Sequence, residues 1–174
     1  QPTAMVNFQD ARVPVQNLVG AEGDGFQIAV SGLDGGRINI AACSIGGAQR
    51  CLDEAVTYVQ ERQQFGSPIA GFQNTQFMLA DMATQLAAAR ALTQIAAQKV
   101  TENAPDETQF AAMAKLHATD SGSKIANDAL QLHGGYGYLM DYPIERFVRD
   151  LRVHEILEGT NQIMRVVIGR SLLN

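Results

Sequence analysis

From Asp34 to Leu132, apolar residues recur at spacings of three, four and seven, a pattern that admits amphipathic helices and little else. The first run holds Ile38, Ala42, Ile45, Leu52, Ala55 and Val59. A second holds Met82, Leu86, Ala89, Leu92, Ala96 and Val100, and a third Phe110, Met113, His117, Ile125, Ala129 and Leu132. Each run ends where backbone chemistry ends helices: Gly66-Ser67-Pro68, Asn103-Ala104-Pro105 and Gly134-Gly135. Asp34 suits the N-cap of the first run, and Asp106-Glu107-Thr108-Gln109 resembles a capping box with aspartate in the capping role. A shorter helix is expected over about 25–33, a short turn at 144–150 and a last helix over 161–172. Long helices with short connections pack as an up-and-down bundle, so the predicted fold class is all-α.

Residues 1–22 read differently. Met5-Val6-Asn7-Phe8 and Arg12-Val13-Pro14-Val15 are short β-prone pieces ahead of the glycine-rich turn Gly20 to Gly25. A strand pair of that length is not stable alone, so it reads as the trailing edge of a sheet. The expected division is therefore 1–22 for that edge and 23–174 for the helical domain.

Composition excludes several functions. A formal charge of −5 with no basic stripe gives nothing with which to neutralise phosphates, so nucleic acid is not an expected partner. No apolar run reaches membrane-spanning length, so no membrane partner is expected. Cys43 and Cys51 fall on one helix about 12 Å apart, too far for a disulfide, which points to a reduced, cytoplasmic setting. His117, His133 and His154 are scattered and no Cys-x-x-Cys or His-Glu-x-x-His occurs, so no metal site is expected. Cys43, Met78 and Met82 are assigned to the core. Arg146, Arg149 and Arg152, mixed with Glu145 and Asp150, read as a solvated or interface face.

One carboxylate stands apart. In Ile156-Leu157-Glu158-Gly159-Thr160-Asn161-Gln162, Gly159 allows a sharp turn and Thr160 is a good N-cap for the last helix. Glu158 is thus held at the tip of a turn ahead of a helix N-terminus, where partial desolvation can make a carboxylate a general base. A solvated loop glutamate is the plainer alternative.

Several segments, in order, resemble the acyl-CoA dehydrogenases. Glu61-Arg62-Gln63-Gln64-Phe65-Gly66-Ser67-Pro68-Ile69 and Gln131-Leu132-His133-Gly134-Gly135-Tyr136-Gly137-Tyr138 resemble two flavin-contacting segments of that family, and Arg149-Asp150 through Gln162 its catalytic turn. Phe8 to Pro14 and Gly23 to Phe26 resemble the end of the family's middle β domain and the entry to its C-terminal bundle. Leu33 to Ala42 and Val153 to Thr160 are most similar to members acting on the short branched thioester isobutyryl-CoA.

The resemblance implies an FAD enzyme that dehydrogenates an acyl-CoA substrate, with Glu158 as the base removing the α-proton. It implies cofactor contacts at Arg62, Phe65, Phe72, Gln73, Gln131, Leu132, His133, Gly134, Gly135, Thr160, Asn161 and Gln162. It implies substrate contacts at Asp34, Arg37, Gly159 and Arg170. Some members carry the base immediately before the residue equivalent to Arg37; Gly36 stands there in this sequence, leaving Glu158 without a competitor. An electron-transfer flavoprotein is the implied electron acceptor and a homo-oligomeric dimer of dimers the implied assembly. Members have an N-terminal helical domain and a complete β domain ahead of this region. The expectation is thus a C-terminal fragment that, alone, binds flavin weakly and turns over little. Two alternatives stay open: another short-chain or 2-methyl-branched specificity, and a non-catalytic helical scaffold descended from such an enzyme.

Overall fold

The computed structural model describes residues 4–173, so positions 1–3 of the expected 1–22 segment, and position 174, lie outside the described residues. The chain divides into two compact units, one running to Gly32 and the other starting at Leu33.

In the first unit residues 4–14 form no strand, Val15–Asn17 makes a 3-10 turn, and α1 spans Gly25–Ser31. The β-prone pieces therefore stay unpaired. A ladder needs a partner strand, and two four-residue pieces cannot sustain one by themselves. Met5, Val6, Phe8 and Val13 are left exposed. Gly20 turns the chain in the left-handed region (φ 72°), and the Asp24 carboxylate accepts the Ala21 N–H at 2.8 Å.

The second unit is a helical bundle: α2 (Leu33–Glu61), α3 (Gln73–Thr101), α4 (Glu107–His133), α5 (Ile144–Arg152) and α6 (Asn161–Leu173). Between α2 and α3 a two-residue antiparallel ribbon pairs β1 (Gln63–Gln64) with β2 (Ser67–Pro68). Phe65 (φ 54°) and Gly66 (φ 83°) supply two successive left-handed residues, the backbone of a tight hairpin turn. The sequence signalled only a helix stop here; the ribbon is an addition.

Helix α4 is the axis of the unit and packs against α2, α3, α5 and α6. Its buried residues, among them Ala111, Ala114, Ala118, Ile125, Ala126 and Ala129, lie on more than one face, as a central helix requires. The facing positions of α2 are also small: Ala41, Ala48, Cys51 and Ala55. Small residues on both sides let helix axes approach closely, and Gly47 goes further, since a Cβ there would sit 2.7 Å from Leu151 Cδ2 of α5.

Three local expectations are corrected. Helix α2 begins at Leu33, and the Asp34 carboxylate, instead of capping, accepts Arg37 Nη1 at 2.7 Å. Asp106 makes no side-chain cap either; its carboxylate takes Lys99 Nζ at 2.7 and 2.8 Å, an ion pair that competes for the same oxygens. Cys43 is exposed, because the buried stripe of α2 runs through Ala41 and Ser44 on either side of it. Cys51 and Met82 are in the core and Met78 is half-buried. Burial pushes the Cys51 thiol up to about 12, and Glu54 adds to the shift, so this cysteine stays protonated. Arg149 pairs with Glu145 and Arg152 with Glu155, both arginines exposed, in keeping with a solvated face.

Candidate active site and cofactor groove

After α5 a 3-10 turn at Val153–Glu155 reverses the chain, with the Ile156 and Leu157 N–H groups both donating to the Val153 carbonyl (2.9 and 3.1 Å). Glu158 (φ 54°) and Gly159 (φ 89°) then lie in the left-handed region one after the other. Gly159 has a further reason to be glycine, since a Cβ would meet Met164 Cε at 2.9 Å. Glu158 has no such freedom, and an L-residue in this region costs about 1–2 kcal/mol, so its surroundings must hold it there. Thr160 caps α6 as its sequence position suggested: the Ile163 N–H donates to Thr160 Oγ1 at 3.4 Å.

The Glu158 side chain crosses to the first turn of α2. A Cβ built on Gly36 would lie 2.5 Å from Glu158 Oε2 and 2.9 Å from its Cδ, so the carboxylate rests on bare backbone that any other residue would cover. The next residue, Arg37, is buried and donates from Nη1 to Asp34. Among the described residues its Nε is buried without a partner. Buried donors are nearly always satisfied, so this one is an exception at the edge of the Glu158 seat. The turn carrying Glu158 and Gly159 thus lies against the first turn of α2, which carries Asp34 and Arg37. Arg170 is exposed near the end of α6, roughly 13 Å along the axis from Asn161.

Beneath the turn lies a layer that sequence reasoning missed. Lys115, fully buried in α4, donates to the Gly159 carbonyl and to Asn161 Oδ1. Asn161 Nδ2 donates to Thr119 Oγ1 (2.9 Å) and Asp120 Oδ1 (2.6 Å). The Asn161 side chain thus faces inward, leaving its backbone for any outside contact. The available signal was register: Lys115 follows Ala111 by four residues on a stripe of otherwise small residues that runs on through Ala118, Thr119 and Gly122.

Buried Ser44 Oγ and His154 Nδ1 share a hydrogen bond of 2.8 Å, tying α2 to the chain just ahead of Glu158. Burial lowers the His154 pKa from its ordinary 6.5; Asp150 opposes the shift and Lys115 adds to it. A folded value below the unfolded one means that the unfolded chain binds the extra proton first. The stability contributed by neutral His154 is complete above 6.5 and is lost as pH falls toward the folded value. The urea midpoint of the wild-type protein should therefore drop between about pH 7.5 and about pH 5 by more than that of His154→Gln.

A second cluster forms where α2 and α4 end. Arg62 lies over the Tyr136 ring at 5.2 Å, and His133, buried, stacks on Tyr58 with centroids 4.2 Å apart. His133 Nδ1 is hydrogen-bonded to the Ala129 carbonyl, and Tyr58 donates its hydroxyl to the His133 carbonyl. These residues, with Leu132, Gly134 and Gly135, line an open groove of about 410 Å³. A Cβ on either glycine would meet nothing within 4 Å, so their backbone is approachable. Cation, bare backbone and aromatic wall suit the diphosphate and flat rings of a flavin dinucleotide. Phe65 is 93% exposed at the ribbon tip, edge-on to Phe72 at 6.1 Å. Gln73 and Gln131 are exposed on the first turn of α3 and the last of α4, and Gln162 on the first turn of α6. Arg37 and Arg62 stand 25 positions apart in sequence, about 38 Å at helical rise.

Residues 23–173 match the family described as Acyl-CoA dehydrogenase, C-terminal domain. Among curated relatives, an isobutyryl-CoA dehydrogenase, mitochondrial, of Dictyostelium discoideum is 54% identical over 172 residues, covering 99% of this chain and 41% of that protein. A chain in the structure described as the electron transferring flavoprotein of Acidaminococcus fermentans superposes with a TM-score of 0.93 at 50% identity, covering 96% of this chain and 44% of that one. Butyryl-CoA dehydrogenase from Megasphaera elsdenii superposes with a TM-score of 0.92 at 46% identity, covering 96% and 43%. The chain spans less than half the length of these relatives. Its sequence, its bundle and the order of its segments agree: the chain belongs to the acyl-CoA dehydrogenase family, in the region of that family's C-terminal domain.

Proposed function

We propose that the complete polypeptide carrying this chain is an FAD-dependent acyl-CoA dehydrogenase acting on a short branched thioester, isobutyryl-CoA, with Glu158 as its base. The observation that carries the reading is the seat of the Glu158 carboxylate, on the bare backbone of Gly36 beside the unpaired Nε of Arg37. An α-proton next to a thioester is weakly acidic and needs a positioned carboxylate and donors on the carbonyl oxygen. Glu158 takes that proton, Asp34, Arg37 and Gly159 hold the ligand, and a hydride leaves the β-carbon. Bound flavin supplies the hydride acceptor.

Arg62, Phe65, Phe72, Gln73 and Gln131 to Gly135 are the proposed cofactor contacts around the groove, with Thr160, Asn161 and Gln162 near the reacting end. The roughly 38 Å between Arg37 and Arg62 exceeds the reach of one flavin within one chain. That supports an assembly in which each cofactor meets the base turn of one copy and the groove of another, as a dimer of dimers would allow. An electron-transfer flavoprotein is the proposed acceptor. The division 1–22 and 23–174, weak flavin binding by the isolated chain and residence in a reducing compartment such as the cytoplasm belong to the same proposal.

The second reading is another short-chain or a 2-methyl-branched acyl-CoA, and similarity to the Megasphaera butyryl-CoA enzyme favours the short-chain form of it. The test is anaerobic mixing of the complete flavin-loaded protein with isobutyryl-, butyryl- and 2-methylbutyryl-CoA. Fastest bleaching of oxidised flavin by isobutyryl-CoA supports the first reading; preference for another thioester replaces its substrate. No bleaching by any of them removes the dehydrogenase proposal.

A further inference from the structure

Lys115 is the largest side chain in the unit with no exposed surface, and no step of the proposed chemistry uses it. Burying an ammonium is costly, and a methionine would fill the same volume without that penalty, so the charge calls for a reason. Its hydrogen bonds supply one. Nζ donates to the Gly159 carbonyl at 2.9 Å and to Asn161 Oδ1 at 2.8 Å, clasping the residues on either side of Thr160. Asn161 is tied back to α4 through Thr119 and Asp120, and Asp120 in turn holds Arg165 of α6 at 3.1 Å. The clasp sits directly behind Glu158 and Gly159, the two left-handed residues that aim the carboxylate at Gly36.

We propose that Lys115 is a positioning residue for the Glu158 base, its ammonium holding the Gly159 carbonyl and Asn161 so that the Glu158–Gly159 pair keeps its left-handed conformation. The inference rests on the reading of Glu158 as the base. Without the clasp the Gly159 carbonyl is left unpaired, and Glu158 is free to relax to an ordinary backbone conformation that carries its carboxylate off Gly36. The clasp is also sensitive to pH. Burial lowers the Lys115 pKa to about 8; Asp120, Glu155 and Glu158 oppose the shift and Arg37 adds to it. Above that value the donor becomes a neutral amine, and hydrogen bonds from neutral donors are weaker than charge-assisted ones.

The experiment compares wild type, Lys115→Met and Glu158→Gln in the complete flavin-loaded protein. Wild type should lose kcat as pH rises through about 8. Lys115→Met should have a lower urea midpoint than wild type, because the Gly159 carbonyl and Asn161 Oδ1 lose that donor. It should still fold, retain flavin and keep KM within about twofold, while kcat falls roughly 10- to 100-fold, the scale of an ångström-sized misplacement. The alkaline limb should vanish with the lysine. Lys115→Ala should recover part of its kcat when ethylamine is supplied, and this covers the case in which the methionine variant does not fold. A wild-type profile flat through the alkaline range, a methionine variant with unchanged kcat, or a loss confined to KM or flavin content would each overturn the proposal. If Glu158→Gln is inactive while Lys115→Met is not, only the positioning role fails. Retained activity in Glu158→Gln removes the base itself.

Discussion

Glu158→Gln should lower the rate of substrate-dependent flavin reduction in the complete protein by about 10²- to 10⁴-fold, the usual worth of a positioned general base. Glutamine keeps the shape and polarity of the side chain and removes its capacity to take a proton. Glu158 packs on Gly36, and among the described residues its carboxylate accepts no hydrogen bond that an amide would lose, so glutamine should fit the same seat and the fold should be indifferent to it. Flavin content and thermal midpoint should therefore match wild type while turnover collapses. That combination separates an enzyme from a helical scaffold descended from one, for which the carboxylate is dispensable. A variant reducing its flavin at the wild-type rate would mean that some other group takes the proton.

Gly36→Ala should part activity from stability in the opposite sense to most glycine changes. The added methyl would stand 2.5 Å from Glu158 Oε2, closer than atoms can approach, and the atom it meets is the free end of a flexible side chain. The carboxylate moves and the helix does not. Displacement of a reacting group by about an ångström costs on the order of 10²-fold in rate, so kcat should fall by that factor. Alanine in the first turns of α2 also has a better helix propensity than glycine, worth about 0.5–1 kcal/mol, so stability should hold or rise slightly. Stopped-flow flavin reduction beside urea denaturation of the same preparation gives both numbers. Unchanged kcat would show that the base does not act from the seat that Gly36 leaves open.

Much of this molecule is written in local chemistry. The three long helices were legible because apolar spacing repeats over many turns and each run ends on glycine or proline: Gly66 with Pro68, Pro105, and Gly134. The Thr160 cap was legible for the same reason, since a cap and the N–H it accepts are three residues apart. Local signals misled where side chains had better partners elsewhere. Asp34 and Asp106 look like caps, yet one is claimed by Arg37 and the other by Lys99, and ion pairs outbid the weaker cap bond.

The site divides along the same line. Glu158, Gly159, Asp34 and Arg37 could be named from motif resemblance, but nothing in the order of residues says that position 36 lies under position 158. That proximity comes from α2 and the turn after α5 docking on the same side of α4. Cys43 and Cys51 share a helix, and the phase of its buried stripe alone decides which of them meets solvent. Lys115 reads as one more polar residue in an alanine-rich run until α6 closes over it and makes it the anchor of a turn 44 positions away. Helix content and helix ends belong to the sequence by itself, because they depend on residues within a few positions of one another. The seat of the carboxylate and its clasp were decided only by the tertiary structure, because they join positions 36, 115 and 158 through packing that no short-range interaction encodes.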